Sequence, residues 1–307
     1  MSKLESYVDL ARPFTLLPPA LGVASGAVTA WGAHGTQDPI TLATFLPVLW
    51  GALMAAVLNS ASNAINQIYD LDIDRINKPK RPLPSGALSM REAWGFTLSS
   101  YVLAWVLAWL AVPPGLEHRR ECFWIVLFTS VVAWTYSAPP LRTKQHGLWA
   151  NVTIAVPRGV LLKVAGWSAV RPILGDREPW FIGLVFGTFL LGASTTKDFA
   201  DIEGDRQGGC NTLPILYGVK KAAWMIAPFF VLPFLLVPLG VRSGILTGNP
   251  VLLDLLAAAL VVYGIYTVYL LVRRPEELAF TENHPSWTHM YLMMMVAQIG
   301  FALAYVL

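Results

Sequence analysis

Two short acidic arrays are the residues most able to do chemistry. One reads Asn66-Gln67-Ile68-Tyr69-Asp70-Leu71-Asp72-Ile73-Asp74 and the other Lys197-Asp198-Phe199-Ala200-Asp201-Ile202-Glu203-Gly204-Asp205. Residues three or four apart share a helix face. Asn59, Asn63, Asn66 and Asp70 therefore form one polar stripe, and Ser194, Asp198, Asp201 and Asp205 another. Clustered carboxylates repel one another, and ionised groups at the centre of a membrane helix cost about 2.5–3.5 kcal/mol each on insertion scales, so the grouping calls for a cation. Oxygen-only donors suit Mg2+, which takes few protein carboxylates and completes its octahedron with water and phosphate oxygens. Asn66, Asp70, Asp74, Asp198, Asp201 and Asp205 are the expected ligands, with room for two ions around one diphosphate. The spacing and terminal Glu of an EF-hand are absent. Taken singly, each stripe reads as ordinary helix-to-helix bonding with solvated ends; two matched arrays at one membrane face make that the weaker reading.

The arrays are related. Asp70 and Asp74 align with Asp201 and Asp205 at one offset of 131 residues, and each array is followed by an arginine and a Leu-Pro segment ending in Gly. These are Arg81-Pro82-Leu83-Pro84-Ser85-Gly86, and Arg206 with Leu213-Pro214-Ile215-Leu216-Tyr217-Gly218. An internal duplication follows. Both arrays end even-numbered apolar spans, so a parallel repeat fits better than an inverted one, and facing halves bring their acidic ends together across a cavity.

Basic residues complete such a site. Arg142 and Lys144, in the loop after Tyr136, and Lys197 and Arg206, flanking the second array, are read as phosphate contacts. Lys78, Lys80, Lys220 and Lys221 are read as topogenic charges. Arg158 and Lys163 fall inside a span, where an ionisable group is a functional-site hypothesis. Arg158 is expected to face inward near a substrate; for Lys163, function and snorkelling stand level. Cys122 and Cys210 fall at opposite membrane faces, which excludes a disulfide between them.

The elements that position these groups are membrane helices. The 307 residues are 55% hydrophobic and 13% charged, where soluble domains carry about 25% charge. Nine apolar stretches near the roughly 20 residues that cross a bilayer run from Pro13 to Ala33, Ile40 to Tyr69, Met90 to Val112, Arg120 to Ala138, Leu148 to Val170, Pro179 to Lys197, Lys220 to Val241, Val251 to Val272 and Ser286 to Leu307. The expected fold is all-α, one domain over 1–307, with two pseudo-repeated four-helix halves around a central cavity. With the N-terminus inside, 15 of the 22 Lys and Arg fall on the cytoplasmic side. That orientation accounts for the net charge of +3 better than nucleic-acid binding, for which no basic motif exists. The segment before the first span lacks a signal-peptide pattern, so that helix reads as retained.

Over essentially its whole length the sequence resembles the UbiA superfamily of intramembrane prenyltransferases. The family's first motif, Asn-Asp-x-x-Asp-x-x-x-Asp, is met by Asn66, Asp70 and Asp74 with Gln67 in the second place; its second, Asp-x-x-Asp-x-x-x-Asp, is met in full by Asp198, Asp201 and Asp205. Asn66-Gln67 with Ile76-Asn77-Lys78-Pro79, and Asp201-Ile202-Glu203-Gly204-Asp205, resemble the branch that prenylates homogentisate. Arg81-Pro82-Leu83-Pro84-Ser85-Gly86 and Tyr136-Ser137-Ala138-Pro139-Pro140-Leu141 resemble chlorophyll synthases and archaeal-type lipid prenyltransferases.

The resemblance implies Mg-dependent transfer of a prenyl group from a prenyl diphosphate to a lipophilic acceptor within the membrane. The acceptor is an aromatic or quinone precursor, or alternatively a chlorophyll-type or glycerol-phosphate lipid. It further implies catalytic roles for the five motif aspartates, Gln67 as a neutral replacement within the metal cluster, and aromatic walls around the reacting cation, with Tyr69, Trp134 and Tyr136 as candidates. An ion-coupled transporter predicts acids near the midplane instead of at one face. A prenyl-diphosphate phosphatase shares the same grip and differs only in its product.

Overall fold

The computed structural model describes residues 2–35, 39–281 and 284–307, and these contain helices, turns and loops but no strand. The α-helices are α1 (Lys3–Ala11), α2 (Leu17–Gly32), α3 (Leu42–Tyr69), α4 (Leu71–Asn77), α5 (Met90–Leu110), α6 (Glu121–Ser137), α7 (Leu148–Ala155) and α8 (Leu162–Ser168). They continue as α9 (Glu178–Ala193), α10 (Ile202–Gln207), α11 (Leu213–Tyr217), α12 (Val219–Ile226), α13 (Leu232–Arg242), α14 (Pro250–Val272) and α15 (Pro285–Val306).

Seven helical stretches among the described residues are long and apolar enough to cross a membrane. The expected first span is a bent pair: α1 and α2 meet at 48° across Arg12–Leu16. Counting it gives eight. The ninth expected crossing is α6, 17 apolar residues, so the count of nine is not reached on length alone. The outward faces confirm the solvent. Leu98, Val102, Val106 and Trp109 line the exposed side of α5, and Val262, Ile265, Tyr266 and Tyr269 that of α14. Apolar stripes of this kind are stable only against lipid, so the protein is an integral, multi-pass membrane protein.

The halves have separate cores. One gathers Val23, Met54, Ile65, Tyr101 and Val126; the other gathers Trp167, Phe186, Phe189, Phe230 and Phe301. Small residues let backbones close between them: a Cβ on Gly26 would meet the Lys163 carbonyl oxygen at 2.6 Å, as in membrane-helix crossings generally.

Local sequence explains the breaks that matter for the site. Ser2 and Glu5 form a reciprocal cap on α1, and Pro13, with no N–H to donate, ends its ladder. Arg12 turns the chain there in the left-handed region, φ 58°. The carbonyls freed at this break are taken by α3, where Asn59 Nδ2 donates to the Thr15 carbonyl at 2.9 Å, Asn63 Nδ2 to the Ala11 carbonyl at 2.9 Å and Gln67 Nε2 to the Leu10 carbonyl at 2.9 Å. Between α7 and α8 lies a π-helical turn, Val156–Leu161, in which the Leu162 N–H reaches the Pro157 carbonyl. Pro157 disrupts the regular ladder, and single π turns of this kind are frequent at functional sites.

The duplication is visible in the backbone. Asp70 breaks α3 from α4 at φ −102°, ψ 16°, and Asp201 precedes α10 at φ −107°, ψ 7°. The helices that follow pack on each other through positions equivalent at the same offset: Ile73 lies on Gly208, and Asn77 on Gly204.

Candidate functional site

At one end of the bundle α3, α4, the end of α6 and the loop after it, α7, the segment after α9 and α10 enclose an acid-lined cavity of about 100 Å³ containing Asp70, Asp74, Asp198, Asp201 and Asp205. The arrays that are far apart in sequence are thus brought together. Their electrostatics differ. In the first array Asn66 Nδ2 donates to Asp70 Oδ2 at 2.7 Å, while Asp70 Oδ1 accepts from Arg142 Nη2 at 3.3 Å and from Lys144 Nζ. Arg81 Nη1 donates to both oxygens of Asp74, at 2.6 and 2.7 Å. The first array is therefore already matched by cations.

The second is not. Lys197 Nζ stands 3.9 Å from Asp198, and Lys78 Nζ 3.4 Å from Asp201 Oδ1, a buried oxygen that accepts no hydrogen bond. Burial pushes the Asp198 carboxyl up to about 7, with Lys197 opposing and Asp205 and Asp201 adding to the rise. Burial and repulsion from Asp201 push Asp205 up to about 6. Asp74 is also raised by burial, against the pull of Arg81. Burial likewise drives the Cys210 thiol up to about 11, so this free cysteine is an unreactive wall residue.

Two further cavities adjoin. An apolar one of about 160 Å³ runs inward past Asn59, Asn63, Tyr136, Leu161 and Leu162. A basin of about 600 Å³ carries five cations, Arg12, Lys78, Lys80, Arg81 and Lys197, against Asp9 and Asp201. Arg12 and Lys197 line all three cavities. Lys197 Nζ donates to Tyr136 Oη at 3.0 Å.

Several expectations change. Gln67 is buried between α3 and α1, where it donates to Leu10 and Asn63 carbonyls, so it is a packing residue and not part of the acidic cluster. Arg142 stands behind Asp70, bonded to it and to the Tyr69 carbonyl, and lines none of these cavities. Arg206 is exposed and outside them. Arg158 does line the apolar cavity, carried there by the π turn. Lys163 neither snorkels nor reaches a cavity; it is buried, donating to Ser25 Oγ at 2.7 Å above the Phe186 ring.

Tyr69 and Trp134 pack with Trp94, while Tyr136, Trp287 and Tyr291 supply the cavity's aromatic surface. Arg12, Lys78 and Lys80 were not expected at the site, whereas Arg81, which follows the first array, stands there bonded to Asp74. Arg12 and Lys80 resemble topogenic charges in one dimension, and only the bend at Pro13 and the turn after Asn77 bring them inward.

The fold and site define a class: a polytopic helical membrane protein with an acid-and-base-lined chamber opening into an apolar cavity. Residues 16–281 match the UbiA prenyltransferase family, and the chain belongs to that family. Among its relatives, the digeranylgeranylglyceryl phosphate synthase of Methanopyrus kandleri is 32% identical over 84% of this chain and 86% of its own. The chloroplastic chlorophyll synthase of Avena sativa is 32% identical over 71% of this chain, and the chain spans 56% of that relative's length. A solved UbiA homolog from Archaeoglobus fulgidus, bound to DMAPP and Mg2+, superposes with a TM-score of 0.74 at 21% identity, covering 98% of this chain and all of that one.

Proposed function

We propose that this protein transfers a prenyl group from a prenyl diphosphate to a lipophilic acceptor within the membrane and releases diphosphate. The observation that carries the reading is the meeting of a cation-ringed acidic chamber with an apolar cavity at Arg12 and Lys197. One end suits a diphosphate and the other its hydrocarbon tail. Family membership and the Mg2+ and DMAPP of the Archaeoglobus homolog support it.

The donor set fits Mg2+: hard oxygens only, a buried Asp201 Oδ1 with no hydrogen bond, and carboxyls at Asp198 and Asp205 whose charge is poorly matched. Asp198, Asp201 and Asp205 would hold one ion and Asn66, Asp70 and Asp74 would serve a second. Bound Mg2+ supplies Lewis-acid neutralisation of the departing diphosphate. The chain's own part is positioning: Lys144 and Arg142 fix Asp70, Arg81 fixes Asp74, and Arg12 and Lys197 offer donors to phosphate oxygens where charge develops. The Tyr136 ring, under Lys197, shelters the allylic cation from water.

For the acceptor, the basic basin favours a molecule carrying its own phosphate or carboxylate, and within that set we take the chlorophyll-type or glycerol-phosphate class. The names of the two relatives point the same way. We take residues 1–307 as one catalytic domain with the N-terminus and both motifs facing the cytoplasm, as the distribution of Lys and Arg supports.

The test is incubation of purified protein with labelled prenyl diphosphate, Mg2+ and a panel of acceptors. Prenylated product is expected, largest with anionic acceptors. Free prenol or prenyl monophosphate as the only product would mean hydrolysis and overturn the reading.

A further inference from the structure

A second cluster lies at the other end of the bundle. The helix α9 begins at Glu178 and leads to the second acidic array; its 16 residues span about 24 Å at 1.5 Å each. Beside Glu178 stand Asp176 and His34, the latter just beyond the end of α2. His34 Nε2 is 3.1 Å from Asp176 Oδ2 and 3.8 Å from Glu178 Oε2. Among the described residues this is the one group of three His, Cys, Asp or Glu side chains whose ligand atoms all lie within 4.8 Å of one another. The motif aspartates do not converge so tightly.

We propose that His34, Asp176 and Glu178 form a binding site for a transition-metal dication of the Zn2+ type, separate from the acidic chamber. Metal–ligand distances of about 2.0–2.2 Å in a tetrahedron put neighbouring ligand atoms about 3.3–3.6 Å apart. The two edges at His34, 3.1 and 3.8 Å, bracket that value, and the edge between the carboxylates lies within 4.8 Å, so an ion fits once the two carboxylates close on it. One imidazole nitrogen and two carboxylates suit Zn2+ or its neighbours, whereas Mg2+ prefers oxygen alone.

The carboxylates are also held as ligands are held. Glu178 is almost wholly buried, and its Oε1 accepts from the Thr247 N–H at 2.6 Å and from Tyr305 Oη. Its Oε2 accepts from Thr247 Oγ1 at 2.9 Å and keeps a lone pair toward His34. Asp176 Oδ1 accepts from the Glu178 N–H at 3.0 Å, leaving Oδ2 to face the imidazole. The His34 backbone N–H donates to Thr247 Oγ1 at 2.8 Å, and the imidazole ring stands edge-on to Trp167. Such outer hydrogen bonds orient ligands toward a metal. The His34 side chain is 44% exposed, so the fourth position is open to water. A bound ion would tie the end of α2, the start of α9, the loop before α14 and the end of α15 at one point.

The experiment loads detergent-purified protein with ZnCl2 in excess MgCl2, removes free metal, and measures bound zinc and the thermal midpoint. Excess Mg2+ occupies oxygen-only sites. One zinc per chain and a midpoint raised by several degrees are expected, with both lost in His34→Ala and weakened in Asp176→Asn. Neither residue touches the acidic chamber, so prenyl transfer by the Zn-free variants should match the parent. Should His34 serve only as a hydrogen-bonding partner of the two carboxylates, the parent's midpoint would ignore zinc, which overturns the proposal. Equal zinc in the parent and His34→Ala also overturns it.

Discussion

Asn77 holds the two acidic arrays together. From the last residue of α4 its Nδ2 donates to the Asp201 carbonyl at 3.1 Å, and its Oδ1 accepts from the Gly204 N–H at 3.0 Å. A single amide thus fixes the register between the halves next to the least compensated carboxylates. Its repeat equivalent, at the same offset of 131, is Gly208, which has no side chain and takes Ile73 against its backbone. The duplicated helices have diverged so that each half supplies what the other leaves open.

Gly204→Ala should therefore loosen this junction. A Cβ there would lie 2.5 Å from Asn77 Nδ2, and crowding of this kind costs about 1–3 kcal/mol. A lower thermal midpoint in detergent and a raised Mg2+ requirement are expected. An unchanged midpoint would show that Asn77 moves aside freely.

Protons and metal should compete at the second array. Carboxyls raised to about 7 at Asp198 and about 6 at Asp205 favour the neutral form in the folded state. Their contribution to stability is full below the unfolded value near 3.8 and is lost as pH rises through about 6 and 7. In EDTA the thermal midpoint should decline from about pH 5 to about pH 8, less steeply in Asp198→Asn. The midpoint gained on adding Mg2+ should be larger at the higher pH, because only the ionised carboxyls bind it. A gain independent of pH would remove these two groups from the metal site.

Gln67→Ala should separate packing from metal binding. The change leaves the Leu10 carbonyl without its donor, and a buried unpaired group costs about 1–3 kcal/mol. Loss of stability with an unaltered Mg2+ requirement is expected in a titration of activity against metal. A shifted requirement at normal stability would return Gln67 to the cluster.

What the sequence makes legible follows from where periodicity and charge speak. Asp70 and Asp74 recur as Asp201 and Asp205 at a constant offset, with Asp198 one turn before Asp201, so their meeting is readable from one dimension. The family and the all-helical fold are readable for the same reason. Arg12 is not, because its place depends on a bend at Pro13 whose freed carbonyls are taken by Asn59 and Asn63, 44 and 52 residues on. Gln67 misleads because it shares a helix with Asn66 but faces α1. His34 pairs with Asp176 across 142 positions, a spacing with no motif to announce it.

Arg158 gives the last test. The π turn around Pro157 puts its guanidinium into the apolar cavity, in the field of Arg12 and Lys197. Three cations around one space repel each other until an anion enters, so the side chain should matter more for substrate binding than for folding. Arg158→Lys keeps the charge and loses the planar fork. A KM for prenyl diphosphate or acceptor raised about tenfold, the equivalent of roughly 1.4 kcal/mol, is expected at normal yield and midpoint. Arg158→Leu should raise it further while relieving the repulsion, so its midpoint should equal or exceed the parent's when no substrate is bound. Lower folded yield with normal kinetics in both variants would instead make Arg158 a structural residue of the turn.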